Sequence, residues 1–229
     1  MKTPGEAISA TDYAVVFRRL EPVPPSPRRL LVLLHGWDSD EGQLVALGAG
    51  VDDDTLVILP RGPRSAGEHA YGWYRVAFDA GEPRVAVDDM EESLAKLVAF
   101  VGQLQSHHEV DAARTVVAGF SQGGALAAAI GLTAPDSIAG FAMVGGRILP
   151  EVESRVAAGG ALRSMQALIV HGCDDDTLPV EWARDAAASL DRVGVTHETR
   201  LHDAGHESTR RMQADVVAWF SDRDRPWQR

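Results

Sequence analysis

Cysteine is almost absent from this chain: Cys173 is the one thiol in 229 residues, so no intrachain disulfide can form. Long apolar runs are missing too. The longest strongly apolar stretch is Leu30–Leu34, far short of the roughly 20 residues that a membrane-spanning helix needs. The N-terminus has no apolar core of the kind a secretory signal carries. These absences together predict a soluble protein of the reducing cytoplasm, without stable membrane insertion. Positive charge is also in short supply, 22 Lys and Arg standing against 33 Asp and Glu for a formal net charge of −11. Nucleic acid is thereby excluded as the expected partner, because a polyanion binder needs the opposite sign. The acidic clusters Asp52–Asp54, Asp88–Glu92 and Asp174–Asp176 read mainly as solvated surface and helix starts. No phosphate loop, dinucleotide fingerprint or metal-spaced His/Cys cluster occurs, so no cofactor is expected. Neither an internal repeat nor an interdomain linker interrupts the chain. A single domain over residues 1–229 is the expectation, since that length can bury one substantial core. The Pro22–Pro27 stretch contains a PxxP match but reads as a stiff connection between two strands.

What the chain does have is a series of short, nearly continuous apolar runs: Leu30–Leu34, Thr55–Leu59, Thr115–Ala118, Gly140–Val144 and Ala167–Val170. Runs of this length, rich in Val, Ile and Leu, suit strands buried on both faces. Helical spacing fills the gaps. Met90, Leu94, Leu97, Val98, Val101 and Leu104 share one side of a helix, and Asp88 and Asp89, each with Glu three residues on, suggest a capping-box start. Tyr13, Val15 and Phe17 alternate as in an outer strand, and Thr196–Leu201 reads as a strand near the other edge. A last helical stretch carries Met212, Val216 and Phe220. The alternation predicts an α/β fold: a mostly parallel central sheet with helices on both faces.

The chemistry concentrates in Gly119-Phe120-Ser121-Gln122-Gly123, between a buried run and an Ala-rich helical segment. Strand, tight turn and helix are the setting of a nucleophile elbow, in which small flanking residues let backbones approach and the serine hydroxyl is left at the sheet's C-terminal edge. A hydroxyl is a poor nucleophile until a base takes its proton. Such folds supply the acid and then the histidine after the serine, which leaves His171, His197, His202 and His206. His171 ends a buried run and precedes every plausible acid, while His197 and His202 lie in or beside the last strand. His206, in the loop between last strand and last helix, is the base. The acid comes from the loop His171-Gly172-Cys173-Asp174-Asp175-Asp176, where spacing alone does not choose among three aspartates. An oxyanion hole needs two backbone donors. The amide of Gln122 follows from the elbow's geometry, and that of Trp37, after His35-Gly36 at the end of the first buried run, is the second candidate.

With these motifs in view, the chain resembles the phospholipase/carboxylesterase family of α/β-hydrolases, which includes bacterial carboxylesterases and acyl-protein thioesterases. The resemblance runs from about Leu30 to Phe220 and rests on LLVLLHG at 30–36, GFSQGG at 119–124, HGCDDDTLP at 171–179 and GH at 205–206. It implies that Asp175 is the triad acid, and it implies the same oxyanion donors, Trp37 and Gln122. Two departures stand out: bulky Trp37 in the first loop, and Gly145-Gly146-Arg147 where the family often has Ser-Gly. About twenty residues separate Gly146 from the next strand, too few for a cap domain. The long connection Pro60–Val87 carries Tyr71, Trp73, Tyr74, Arg75 and Phe78, and in related enzymes this region borders the cleft. Trp73 and Tyr74 are therefore candidates to line the substrate pocket, the alternative being that they pin the loop to the core. The expected function is serine carboxylesterase, acting on a small-molecule ester or thioester through an acyl-enzyme. Acyl-protein or acyl-CoA thioesterase, lysophospholipase and, more remotely, a non-enzymatic ligand-binding homologue are the alternatives. A homodimer stays open.

Overall fold

The computed structural model describes residues 2–9, 13–77, 83–158 and 160–222. Its first half contains β1 (Thr3–Pro4), β2 (Phe17–Glu21), β3 (Arg29–Leu34), the single-turn α1 (Val45–Gly48) and β4 (Thr55–Pro60). Two small hairpins follow, β5 (Arg64–Gly67) with β6 (Ala70–Gly72) and β7 (Val76–Ala77) with β8 (Arg84–Val85), before the long helix α2 (Val87–His108). The second half alternates strand and helix: β9 (Thr115–Phe120), α3 (Gln122–Thr133), β10 (Gly140–Val144), β11 (Gln166–Gly172), α4 (Glu181–Val193), β12 (Thr196–His202) and α5 (Arg210–Ser221).

Eight strands form one sheet in the order β1-β2-β4-β3-β9-β10-β11-β12. The six from β4 to β12 run parallel, and β2 and β1 join antiparallel. Every residue of β3, β4, β9 and β10 is buried. The two-residue period of a strand divides those side chains between two cores. Leu30, Val32, Leu34, Val117, Phe141 and Ile169 join the core under α2, α3 and α4. Their neighbours Leu31, Leu33, Val116, Ala142 and Leu168 join the core under α1 and α5, with Met212, Val216, Trp219 and Phe220. Helix α3 is buried along nearly its whole length, which is why its sequence is apolar all round rather than amphipathic. Among the described residues no cap domain covers the sheet, and no helix is long and apolar enough to cross a membrane.

The structure corrects the sequence reading at the edges. Strand β2 begins at Phe17, not Tyr13, whose ring instead stands edge-on to Phe17 and Phe100 at 5.0 and 6.0 Å. Nor is β2 outermost, since the two residues of β1 flank it. The start of α2 carries no side-chain cap. Asp89 turns instead to the guanidinium of Arg75, with oxygens 2.6 and 3.1 Å from its Nε and Nη2. The ion pair anchors the hairpin region to the helix. Phe78 lies outside the described residues.

Strand order reverses beside β3: the chain passes from β3 to β4 on one side and returns to β9 on the other. Loops leaving the carboxyl ends of β3 and β9 therefore head to opposite faces, and a crevice opens between them.

Candidate active site

Ser121 occupies the turn between β9 and α3 with φ 53° and ψ −117°. A non-glycine residue held there costs on the order of 1–3 kcal/mol, so its surroundings must impose it. They do: the Ser121 amide donates to the Val144 carbonyl at 2.8 Å, and the Ser121 carbonyl accepts from Ala125 at 3.0 Å. The flanking glycines are required by close approach. A Cβ at Gly119 would collide with the backbone of Gly123 and Gly124, and one at Gly123 with the carbonyls of Leu34 and His35.

The hydroxyl so presented meets the histidine and one of the aspartates singled out from the sequence. Ser121 Oγ lies 3.0 Å from His206 Nε2, and His206 Nδ1 lies 2.8 Å from Asp175 Oδ2. Phe120 packs against the imidazole, with ring centroids 5.0 Å apart. Asp175 is buried, whereas Asp174 and Asp176 are exposed. The other oxygen of Asp175 accepts the amides of Thr177 at 3.0 Å and Leu178 at 2.7 Å, which fixes the plane of the carboxyl group. Fully buried His171 adds a contact: its Nε2 bonds the Leu178 carbonyl at 2.8 Å and lies 3.4 Å from Asp175 Oδ2. Of the remaining histidines, His202 pairs with Asp215 at 2.7 Å on β12, and His197 lies near Asp191 on the same strand's flank.

The loop after β3 is set by His35. The Gly62 amide donates to His35 Nε2 at 2.9 Å, and His35 Nδ1 meets the Gly36 carbonyl at 2.7 Å, an arrangement that requires the neutral imidazole with its proton on Nδ1. Burial lowers the pKa of His35, in agreement. This loop brings Trp37 to the wall of a cavity of about 240 Å3, which Ser121, Gln122 and His206 also line. The amide of Gln122 lies in the first turn of α3, where no helical carbonyl is available to accept it.

A phospholipase/carboxylesterase family model matches residues 21–222, nearly the whole chain. The chain belongs to that family. Solved structures agree on the fold. A carboxylesterase from Mesorhizobium loti is 22% identical with a TM-score of 0.81, over 95% of this chain and 100% of the other. Esterase PE8 is 26% identical, TM-score 0.76, over 88% and 95% of the two chains. A Bacillus cereus carboxylesterase is 17% identical, TM-score 0.75, over 89% and 92%. Family membership and these neighbours support an esterase-type hydrolase.

Within this phospholipase/carboxylesterase scaffold, the two aromatic candidates part company. Tyr74 lines the cavity, and burial pushes its phenol well above its ordinary pKa, so it faces the cleft uncharged. Trp73 does not reach the cavity. It is fully buried, its indole nitrogen donates to the His35 carbonyl at 2.8 Å, and its ring tilts over His35 at 5.2 Å. It pins the hairpin region to the loop after β3. The side chain of Gln122, to which sequence assigned only an amide, completes that fastening: its Oε1 accepts from Trp73 N and its Nε2 donates to Tyr74 O, both at 2.6 Å. Val76, Val85 and Leu149 join the cavity wall, and no motif marked them. Arg147, visible in the sequence only as a departure from the family pattern, lines the cavity as well. Among the described residues no cluster of His, Cys, Asp and Glu is arranged to hold a metal ion.

Proposed function

We propose that this protein is a serine carboxylesterase, with Ser121 as nucleophile, His206 as general base and Asp175 as the acid that orients it. The observation that carries this is the unbroken hydrogen-bond chain from Ser121 Oγ through His206 to Asp175, at 3.0 and 2.8 Å, opening on a cavity. In the proposed cycle Ser121 Oγ attacks the ester carbonyl while His206 Nε2 takes its proton. Asp175 holds the Nδ1 proton and stabilises the imidazolium, so the correct nitrogen faces the serine. The amides of Trp37 and Gln122 receive the oxyanion, aided by the N-terminal dipole of α3. His206 then protonates the departing alcohol. Water, deprotonated by the same imidazole, attacks the acyl-enzyme and releases the acid. The free thiol of Cys173, exposed on the loop before Asp175, is consistent with a reducing cytoplasmic setting for this cycle.

The test is fluorophosphonate labelling of native and Ser121→Ala protein beside hydrolysis of p-nitrophenyl esters. Labelling and turnover should vanish together in the variant. A folded native protein that neither labels nor hydrolyses any ester of the series would remove the proposal and leave the cleft as a binding site.

A further inference from the structure

The cavity wall contains one charge for which the ester reaction itself has no use. Arg147 follows Gly145 and Gly146 at the carboxyl end of β10, beside the proposed nucleophile and base. A methyl group placed on Gly145 would lie 3.8 Å from His206 Cε1, and one on Gly146 would lie 3.1 Å from the Ser121 carbonyl oxygen. Arg147 lines the same cavity as Ser121 and His206, whose remaining wall is largely apolar: Val76, Pro83, Val85, Leu149 and Leu178.

The guanidinium is held in place without being neutralised. Its Cζ stacks 4.4 Å from the centre of the Trp182 ring, and Nη2 donates to the Pro83 carbonyl at 3.2 Å. No carboxylate among the described residues lies within 4.0 Å of it, whereas half-buried Arg61 and Arg64 each have one. Glu151 acts on the Tyr74 phenol alongside Arg147 but forms no ion pair with Arg147. Arg147 Nε and Nη1 have no hydrogen-bond partner among the described residues and are not fully buried, so donors of a residue that lines the cavity stay free. A planar fork pre-set by stacking in an apolar wall is suited to an oxyanion, and an apolar cavity strengthens the attraction that bulk water would screen. A carboxylate is the simplest such group that an ester can carry beside its reacting bond.

We infer that Arg147 is a specificity-determining residue and that the substrate is an ester bearing a second, anionic group, a carboxylate on its acyl or alcohol half, which the guanidinium receives. This rests on the serine esterase reading and adds to it the class of substrate. It also assigns a role to the departure at Gly145-Gly146-Arg147: where an uncharged residue would leave the wall apolar, this chain selects for charge.

Two matched pairs of substrates test it and separate the halves. For the acyl side, the p-nitrophenyl monoester of glutarate is compared with the same ester whose free carboxyl is methylated. For the alcohol side, 4-acetoxybenzoate is compared with its methyl ester. In at least one pair, the ratio of kcat/KM for charged over neutral ester should fall about 10-fold in Arg147→Met, the loss of one charge-assisted hydrogen bond. Arg147→Lys should retain part of the ratio. Because Arg147→Met also removes the stack on Trp182, the native protein supplies a second reading: glutarate should inhibit hydrolysis of a neutral ester at lower concentration than its uncharged diamide, and less so as salt is raised. Ratios unchanged in both pairs, or equal inhibition by acid and diamide, would overturn the anionic-substrate assignment while leaving the esterase standing. Native protein that hydrolyses none of the four esters and takes no fluorophosphonate would instead remove the esterase reading, and this inference with it.

Discussion

Asp174, Asp175 and Asp176 are chemically identical neighbours, and what separates them is the backbone around them. Asp175 is 6% exposed and accepts two amides on one oxygen and His206 on the other, whereas its neighbours project into solvent. Removing the charge but keeping the shape should therefore expose the difference. Asp175→Asn leaves the amide free to present an N–H to His206, favouring the wrong tautomer, and a loss of roughly 10^3- to 10^4-fold in kcat is expected. Asp174→Asn and Asp176→Asn should stay close to the parent protein. Steady-state hydrolysis of one neutral ester by the three variants decides it, and a comparable loss in Asp174→Asn would reassign the acid. The positions proposed for nucleophile and base could be picked from the sequence because order and motif restrict them. The proposed acid could not be picked from spacing, because the amides of Thr177 and Leu178 that distinguish Asp175 belong to a loop conformation, which no side-chain pattern encodes. The same holds for Trp73 and Tyr74: adjacent residues in an irregular segment have no period to tell which one turns inward to His35 and which one faces the cleft.

Elements were readable wherever burial is symmetrical and least readable at edges. The runs β3, β4, β9, β10 and β11 are apolar on both faces, so composition alone marks them, while β1 and β2 depend on partners distant in sequence and the short hairpins β5–β8 have no continuous apolar run. One such partner is Glu41, in the loop after β3. Its buried carboxylate takes Arg18 of β2 at 2.8 Å and Arg61, just beyond β4, at 2.8 and 2.5 Å, tying the antiparallel margin to the loop that carries Trp37. Burial alone would raise the pKa of this carboxyl group, but hydrogen bonds from Arg61 and Arg18 outweigh it and hold the value at about 2. A folded-state pKa below the unfolded one contributes stability that is complete above the unfolded value, near 4.5, and is lost as pH falls towards about 2. Its size is on the order of 2–3 kcal/mol. Denaturant unfolding of native and Glu41→Gln protein between pH 7 and pH 3 should show the variant less stable at neutral pH and the two curves converging in acid. Coincident curves would mean that the network adds nothing to the fold, and a constant gap that its contribution does not depend on the charge of Glu41.

At the scale of the whole molecule, the site is shaped by what the scaffold leaves out. Two helical layers bury the sheet and, among the described residues, no cap domain crosses its carboxyl edge, so the cleft is walled by the hairpins, the start of α3 and the loops after β3, β9, β10, β11 and β12. Its volume, about 240 Å3, lies below the roughly 300–1,000 Å3 usual for sites that enclose a drug-sized ligand. Trp37 stands at its wall with 40% of its surface exposed. Each methylene that enters such an apolar cavity adds up to about 0.8 kcal/mol, a few-fold in kcat/KM, and each one that remains outside adds nothing. The chain-length profile for p-nitrophenyl esters is therefore expected to climb from acetate over the first few methylenes and then level off well before palmitate. Trp37→Ala should move the break to longer chains, because it clears the side chain from the wall while keeping the Trp37 amide that the proposed oxyanion hole requires. A profile that rises without a break to palmitate would require a covered channel long enough to bury the whole chain, and would shift the preferred substrate from small esters to long-chain lipids or acylated proteins.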